Sequence, residues 1–375
     1  MKVRGAVLGE MGLPRPYAQS RPLTVAELSL EGPGPDELLV RVGAAGLCHS
    51  DLSVIDGSRP RVMPMVLGHE AAGEVVAVGP HTEGFAEGDH VVLAFLPSCG
   101  HCGPCADTRP WLCEPGAAAN AAGSLLSGAR RFRDGHDGVP HHHLGVSAFC
   151  DHIVVSARSA VRIDDDLPYA IGALFGCAVL TGVGAVVNAA KVGVGDSVAV
   201  FGLGGVGLAA LLGAVVAGAS TIIGIDTVPA KLALARELGA THVVEAGGEE
   251  TVEQIRELTG GGVRHAIETV GNAAVLQQAY DATARGGTTV TVGLPHPSRM
   301  LTIPAVSLVT EEKTLRGSYL GSCVPARDIP RFVALYKAGR LPVDRLLTHT
   351  IPLDEINEGF DRLASGEAVR QAVVF

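Results

Sequence analysis

Cys99, Cys102, Cys105 and Cys113 crowd four of the chain's eight cysteines into fifteen residues, CGHCGPCADTRPWLC. Two C-x2-C steps and one C-x7-C step bring four sulfurs within reach of a single tetrahedral ion. Four thiolates close its coordination sphere and leave no position for substrate, so the spacing describes a structural zinc. Disulfides are the competing use of close cysteines, and a reducing compartment disfavours them. A nucleic-acid-binding zinc ribbon is a further reading. Against it stand a formal charge of −10, with 29 basic and 39 acidic residues, and the lack of any Lys/Arg run that could meet phosphates. No nucleic-acid partner is expected.

The second motif with chemistry in it is GLGGVG. Gly202, Gly204 and Gly207 fit G-x-G-x-x-G, with Gly205 and Val206 inside the loop, after the strand-like run SVAVF and at the opening of an apolar stretch. The first glycine permits the turn, the second admits a pyrophosphate to the backbone, and the third lets helix and strand pack closely. Helix N-H groups then face the phosphates. Asp226 ends the next strand-like run, 19 residues beyond Gly207. A carboxylate there can accept hydrogen bonds from the adenosine ribose and repels a 2′-phosphate, which selects NAD over NADP. The plain alternative is a strand-end cap.

These motifs need elements to hold them. At 375 residues the chain is long enough for two domains, and 47% hydrophobic against 18% charged residues supplies their cores. Residues 1–180 read as β-rich: KVRGAV, ELLVRVGAAG, VLGHEAAGEVVAVG, DHVVLAF and CDHIVVSA are strand-length runs divided by Gly, Pro and Asp clusters. From about 180 to 320, short strands (VAVFG, TIIGID, HVVEA, AIETVG, TTVTVGL) alternate with helical stretches such as PAKLALARELGA, the signature of a parallel sheet covered on both faces. The tail returns to mixed structure, with a helix in DIPRFVALYKAG and a last strand in QAVVF. The 29 uncharged residues between Asp196 and Asp226 would pass for a membrane span. Their four clustered glycines argue for strand, turn, buried helix and strand instead. The N-terminus, MKVRGAVLGEMGLPRP, lacks the apolar run and cleavage site of a secretory signal, so a cytoplasmic protein is expected.

Cys48 in GLCHSDL, His69 in LGHEAAGEV and Cys177 in LFGCAVLTGVG lie far apart, and each alone would pass as a packed thiol or a satisfied histidine. Taken with the four-cysteine lobe, GLGGVG and Asp226, in this order, they resemble the zinc-dependent medium-chain alcohol dehydrogenases over nearly the whole chain. The resemblance implies an α/β protein. A GroES-like β-rich catalytic domain would span 1–178, with its structural-zinc lobe at about 97–115. A doubly wound Rossmann NAD domain would span 179–320, and 321–375 would return to the catalytic domain, with the active site in the cleft between the two. It further implies two zinc ions per chain, the catalytic one held by Cys48, His69 and Cys177 with a fourth position left for water or substrate. Glu70 matches the acidic neighbour of that zinc, and Asp51 the carboxylate that orients His69. Arg370 matches the arginine that closes over the pyrophosphate, Lys231 the lysine on the adenosine ribose, and Thr181 and Val206 the residues against the nicotinamide. Cys150 and Cys323 receive no role.

The implied reaction is hydride transfer between an alcohol, or an aldehyde in reverse, and NAD through a zinc-bound alkoxide. An alcohol proton, with a pKa of about 16, becomes labile near neutral pH on such a metal. Ser50 matches the hydroxyl that takes this proton; its plain reading is a turn hydroxyl. Relatives finish the relay with a histidine where this chain has Ser53, so His49 or water takes that part. His49 also stands where many relatives carry an arginine on the pyrophosphate, and a mostly neutral imidazole should hold the cofactor less tightly.

Phe95 matches an aromatic wall of the substrate channel. His143 and Leu144 fall where relatives place bulky apolar pocket residues, so a histidine is unusual there. The run His141-His142-His143 lies in RFRDGHDGVPHHHLG, the most loop-like stretch of the chain. Adjacent imidazoles rarely converge on one ion, so a solvent-facing loop is expected. The length between Cys113 and Leu144 matches the dimeric long form of the family, hence a homodimer. CHSDL, CAVLTGVGAVVN and GATHVV resemble the branch that includes thiol-dependent formaldehyde dehydrogenases, mycothiol-linked ones among them, which makes such an enzyme the nearest alternative. A non-catalytic zinc-binding regulatory protein is the alternative from another class.

The charge argument at Asp226 is directly testable. Asp226→Ser should raise the ratio of kcat/KM for NADP over NAD at least about tenfold, the equivalent of ~1.4 kcal/mol. An unchanged ratio would remove Asp226 from the cofactor site.

Overall fold

Residues of alternating polarity along 1–177 have one face to bury, and they pair into two β-sheets in the computed structural model, which describes residues 1–135, 138–248 and 250–375. The chain divides into two compact units. The first comprises Met1–Cys177, Val324–Val333 and Leu347–Phe375, and the second Ala178–Cys323 and Ala334–Leu346. The C-terminal return expected as one piece from 321 is therefore split, with Ala334–Leu346 counted in the second unit.

In the first unit, one sheet runs in the order Phe132–Arg133, Leu23–Leu30, Lys2–Leu8, Met65–Val66, His141–His142. The other runs Ala160–Ile163, His90–Leu93, Ala71–Val78, Glu37–Leu47, Arg370–Val374, Leu347–Ile351, with His152–Ser156 also paired to Glu37–Leu47. Glu37–Leu47 is its spine. Leu38, Val40 and Val42 alternate inward, and the last four residues, Ala44 to Leu47, are all buried where the strand has partners on both sides. Antiparallel partners on both edges satisfy its backbone N-H and C=O groups, so it can end in the core with Cys48 as its next residue.

VLGHEAAGEVVAVG reads as one strand, yet the structure breaks it. Met65–Val66 belongs to the first sheet and Ala71–Val78 to the second, with residues 67–70 crossing between them. Gly68 makes the crossing at φ +90°, where a Cβ would stand 2.6 Å from Phe149 N and 2.8 Å from Ala148 N. Only glycine fits that approach. His69 and Glu70 are thereby delivered to the junction of the sheets.

The loop reading of 131–145 needs correction. Phe132–Arg133 and His141–His142 are short strands, and His142 and His143 are buried, at 0% and 1% exposure, not solvent-facing. His136 and Asp137 of that stretch lie outside the described residues. Burial, with the charges of Arg131, His141 and Arg130, pushes the His142 pKa down to about 3, so its ring is neutral. Its Nε2 accepts from Arg131 N at 3.1 Å and its ring lies against Phe132. A neutral imidazole with its acceptor satisfied can enter a core, which composition alone does not reveal.

The second unit holds six parallel strands in the order His242–Glu245, Thr221–Asp226, Ser197–Phe201, Val263–Glu268, Thr283–Thr291, Thr314–Gly317. This is the doubly wound order with the topological switch beside Ser197–Phe201, the place where such sheets bind ligands. The uncharged segment resolves into strand Ser197–Phe201, helix Gly205–Ala217 and strand Thr221–Asp226. Its helix has no polar face because it is buried on every side from Gly207 to Ala214. Among the described residues no helix is long and apolar enough to cross a membrane. CAVLTGVGAVVN, which carries no helical period, forms a helix over Ala178–Gly184 that continues as a π-helix over Ala185–Ala190.

At Gly207 a Cβ would lie 1.7 Å from Gly202 O, a backbone atom that cannot move aside. Gly207→Ala should therefore cost about 1–3 kcal/mol in urea unfolding, as overpacked cores do. A variant of unchanged stability would contradict this packing.

Candidate metal centre and cofactor loop

Three elements of the first unit converge on one buried point. Cys48 follows the spine strand directly and is the extended N-cap residue of the helix His49–Ile55. His69 stands on the crossing behind Gly68, and Cys177 follows the helix Tyr169–Leu174. The two sulfurs and an imidazole nitrogen lie within 4.8 Å of one another, all three residues buried. His69 Nε2 is 3.4 Å from Cys177 Sγ, while its Nδ1 is 3.0 Å from Asp51 Oδ1. Asp51 thus claims the Nδ1 proton and leaves the Nε2 lone pair toward the sulfurs. Hydrogen bonding from Cys177, then from His69, holds the Cys48 thiol well below its ordinary pKa against the opposing effect of burial. Burial disfavours a charged His69, but Asp51 and Cys48 outweigh it and raise its pKa to about 10. Two sulfurs, one of them held toward thiolate, and a buried carboxylate behind the imidazole gather negative charge that a cation would balance, taking the place of the second imidazole proton. Zinc fits on donor chemistry, ligand spacing and burial.

Around this point, Phe95 sets its ring edge-on to His69 at 5.5 Å, and its carbonyl accepts from Asn120 Nδ2 at 2.9 Å. Glu70, fully buried, is ion-paired with Arg370 at the start of the last strand. Arg370, expected over a pyrophosphate, is placed on this carboxylate. Ser50 is half-buried and His49 exposed on the same short helix; Ser53 Oγ donates to His49 O at 2.7 Å. Leu144 is buried in the left-handed region at φ +52°. His143 Nδ1 lies 3.1 Å from Asp51 Oδ1. Sequence reading placed His143 on a pocket wall and missed this contact; its signal was a polar residue where an apolar one was expected.

The four clustered cysteines also converge, their sulfurs within 4.8 Å of one another. Cys99 N and Gly116 N donate to Cys113 Sγ at 3.2 and 3.4 Å, and Cys102 N donates to Cys99 Sγ at 3.3 Å. The backbone of His101, then that of Cys102, lowers the Cys99 pKa to about 6 against burial, whereas burial and its sulfur neighbours raise that of Cys105 to about 12. Four thiols this close cannot all ionise unaided, so the lobe also has the electrostatics of a cation site.

In the second unit, Gly202 turns at φ +88° and Gly204 is the N-cap of the helix Gly205–Ala217, which has no side-chain cap. Its first N-H groups are left for a ligand. Asp226 Oδ2 accepts from Leu203 N at 2.7 Å and Oδ1 from Val228 N at 2.9 Å, so this carboxylate ties the glycine loop to the strand end. Each oxygen keeps a further lone pair for a ribose hydroxyl. Lys231 lies in the first turn of the helix Pro229–Glu237, Val206 in that of Gly205–Ala217, and Thr181 is buried in Ala178–Gly184. Two supports escaped sequence reading. Thr269 Oγ1 donates to Phe201 O and Gly202 O at 3.0 and 2.9 Å. Glu268 accepts from Val270 N, Gly271 N and Thr291 Oγ1 at 2.7, 2.6 and 2.6 Å. The only sequence sign was an acidic residue at the end of an apolar strand.

Residues 34–165 match the alcohol dehydrogenase GroES-like domain family, and residues 205–338 the zinc-binding dehydrogenase family. The geraniol dehydrogenase of Castellaniella defragrans is 40% identical over 362 residues, covering 94% of this chain and 95% of its own. An alcohol dehydrogenase zinc-binding domain protein from Burkholderia ambifaria superposes with a TM-score of 0.94 at 39% identity, covering 100% of this chain and 99% of its own. The benzyl alcohol dehydrogenase of Acinetobacter calcoaceticus superposes with a TM-score of 0.91 at 33% identity, with the same coverage. The chain belongs to the zinc-dependent medium-chain alcohol dehydrogenase family, and it is an oxidoreductase of alcohols and aldehydes.

The buried Glu70–Arg370 pair yields a stability prediction. Arg370→Met strands a carboxylate of 0% exposure and should cost about 3–5 kcal/mol in chemical unfolding. Adding Glu70→Gln should recover part of that loss. Equal stability of Arg370→Met and the unsubstituted protein would show that the pair is not what holds Glu70 in the core.

Proposed function

We propose, on the premise of that family membership, that this chain is an NAD-linked dehydrogenase of primary alcohols bearing an unsaturated or aromatic group, with two zinc ions per chain. The observation that carries the catalytic assignment is the convergence of Cys48, His69 and Cys177 with Nε2 turned toward sulfur. Zinc held by these three residues supplies Lewis acidity that makes an alcohol oxygen acidic near neutral pH, and NAD supplies the hydride acceptor. Asp51 keeps the His69 ring in its ligating tautomer and direction. The Ser50 hydroxyl, two residues from Cys48, accepts the alcohol proton and passes it on to His49 or water at the exposed side of the helix. Gly202, Gly204, Gly205, Val206 and Gly207 admit the dinucleotide phosphates, Asp226 and Lys231 its adenosine ribose, and Thr181 its nicotinamide side. Cys99, Cys102, Cys105 and Cys113 hold the second zinc and shape the lobe without touching substrate.

The substrate class rests on two relatives named for geraniol and benzyl alcohol, and Phe95 beside His69 offers a ring for such groups to pack against. The homodimer is supported by the sheet edge at Thr314–Gly317, which among the described residues has a partner on one side only. Beside it in sequence, Met300, Val306 and Val309 expose 81%, 66% and 79% of their surface. An unpaired edge with apolar flanks suits a second copy. Cytoplasmic residence accords with all eight cysteines being free thiols.

Metal analysis and NADH formation test the assignment together. The purified protein should hold two zinc ions per chain and oxidise geraniol and benzyl alcohol without added thiol. Cys48→Ala should retain one zinc and form no NADH. A Cys48→Ala variant that turns over at the unsubstituted rate would sink the catalytic site, and a strict need for a low-molecular-weight thiol would move the substrate assignment to thiol adducts of formaldehyde.

A further inference from the structure

Thr221–Asp226, Ser197–Phe201, Val263–Glu268 and Thr283–Thr291 are successive neighbours in the parallel sheet of the second unit, so their C-terminal ends share one rim. Neighbouring strands lie about 4.8 Å apart, which puts the end of Thr283–Thr291 roughly 14 Å from that of Thr221–Asp226. A dinucleotide with its pyrophosphate at the start of Gly205–Ala217 and its adenosine ribose at Asp226 must send its other half across the switch point, toward the ends of Val263–Glu268 and Thr283–Thr291. Whatever shapes those two ends shapes the nicotinamide half of the site.

One buried carboxylate joins them. Glu268, 1% exposed, accepts from Val270 N and Gly271 N through Oε1 at 2.7 and 2.6 Å, and from Thr291 Oγ1 through Oε2 at 2.6 Å. Two of these donors lie in the loop that follows its own strand, and the third ends the neighbouring strand. The two loops meet backbone to backbone. At Gly293 a Cβ would stand 2.1 Å from Gly271 N, and at Gly271, φ +77°, one would stand 2.8 Å from Leu294 N. No side chain fits between the loops there to set their spacing. Thr269 Oγ1 donates to Gly202 O at 2.9 Å, which fastens loop 269–271 to the glycine turn. The Glu268–Thr291 hydrogen bond extends that link to the next strand end.

We propose that Glu268 is a positioning residue for the nicotinamide half of the cofactor: through Thr291 it locks loop 292–294 to loop 269–271, and through the latter to the glycine turn, so that both halves of the dinucleotide meet one preformed surface. Without it, binding has to order the second loop and gives up part of its free energy in doing so. A glutamine preserves the arrangement, since its carbonyl oxygen can accept from Val270 N and Gly271 N while its amide donates to Thr291 Oγ1. A leucine cannot, and leaves two N-H groups without their acceptor. The proposal rests on the reading of Gly202, Gly204, Gly207 and Asp226 as an NAD site.

The test is calorimetric titration of the zinc-loaded protein with NADH and, separately, with AMP, which carries the adenosine half alone. Thr291→Val removes the hydroxyl and keeps the shape. It should weaken NADH binding about five- to tenfold, the scale of ordering a loop on binding, and leave AMP affinity unchanged. Glu268→Leu should weaken NADH at least as much, and Glu268→Gln should restore it. Adding Thr291→Val to Glu268→Leu should bring no further loss, because both act through one hydrogen bond. Unchanged NADH affinity in Thr291→Val, equal weakening of NADH and AMP by it, or equal NADH affinities of Glu268→Gln and Glu268→Leu overturns the proposal. Where Glu268→Leu does not fold, Thr291→Val decides alone. Asp226→Ser separates the two claims: if the unsubstituted protein binds neither ligand, or if Asp226→Ser leaves both affinities intact, the cofactor reading itself falls. Weakening by Asp226→Ser with unaltered Thr291→Val refutes the role of Glu268 alone.

Discussion

An imidazole can offer a lone pair to a metal only if its other nitrogen is committed elsewhere, and in this protein that commitment is made by one carboxylate with no exposure to solvent, Asp51. Much of the first unit serves this contact. The spine strand Glu37–Leu47 ends where Cys48 and the short helix bearing Asp51 begin, and Gly68 lets the chain cross between sheets close enough to Phe149 for His69 to meet that helix. Water is kept out, so the hydrogen bond acts in a low dielectric, where it is stronger and its loss costlier.

Several buried polar groups around the site meet a partner of matching chemistry. Glu70 is matched by Arg370, His142 by a backbone N-H, Glu268 by two backbone N-H groups and a threonine. Such groups add little net stability when satisfied, but each fixes the direction of its neighbours. The same logic governs the second unit, where Asp226 and Thr269 tie the glycine loop to the ends of the two strands that flank Ser197–Phe201 and hold the helix start ready for phosphates.

How much of this was legible depends on the range of the interaction. The four-cysteine lobe and GLGGVG could be read outright because their partners lie within a few residues, so spacing alone is geometry. Period and glycine placement likewise gave the alternating strands and helices of the second unit and dismissed the apparent membrane span. The histidine run was misread, since three polar residues in a row look like a loop until His142 and His143 are found buried, with a backbone N-H donating to the ring of His142. VLGHEAAGEVVAVG looked like one strand because the break at Gly68 is caused by the approach of Phe149, more than 80 residues away. The helix Ala178–Gly184 hid for the opposite reason: a segment buried on every side has no amphipathic period to detect.

By itself the sequence determined the chemistry available: thiols and imidazoles in number, a phosphate-binding turn, a carboxylate at its strand end, and cores large enough for two domains. Only the tertiary structure decided which of these groups meet. Cys48, His69 and Cys177 are brought within 4.8 Å by a strand end, a crossing and a helix end. Asp51 pairs with His69, and Arg370 with Glu70. The reason is physical. A side chain's type is a local property of the chain, but its hydrogen-bond and charge partners are set by how separate elements close over a common core.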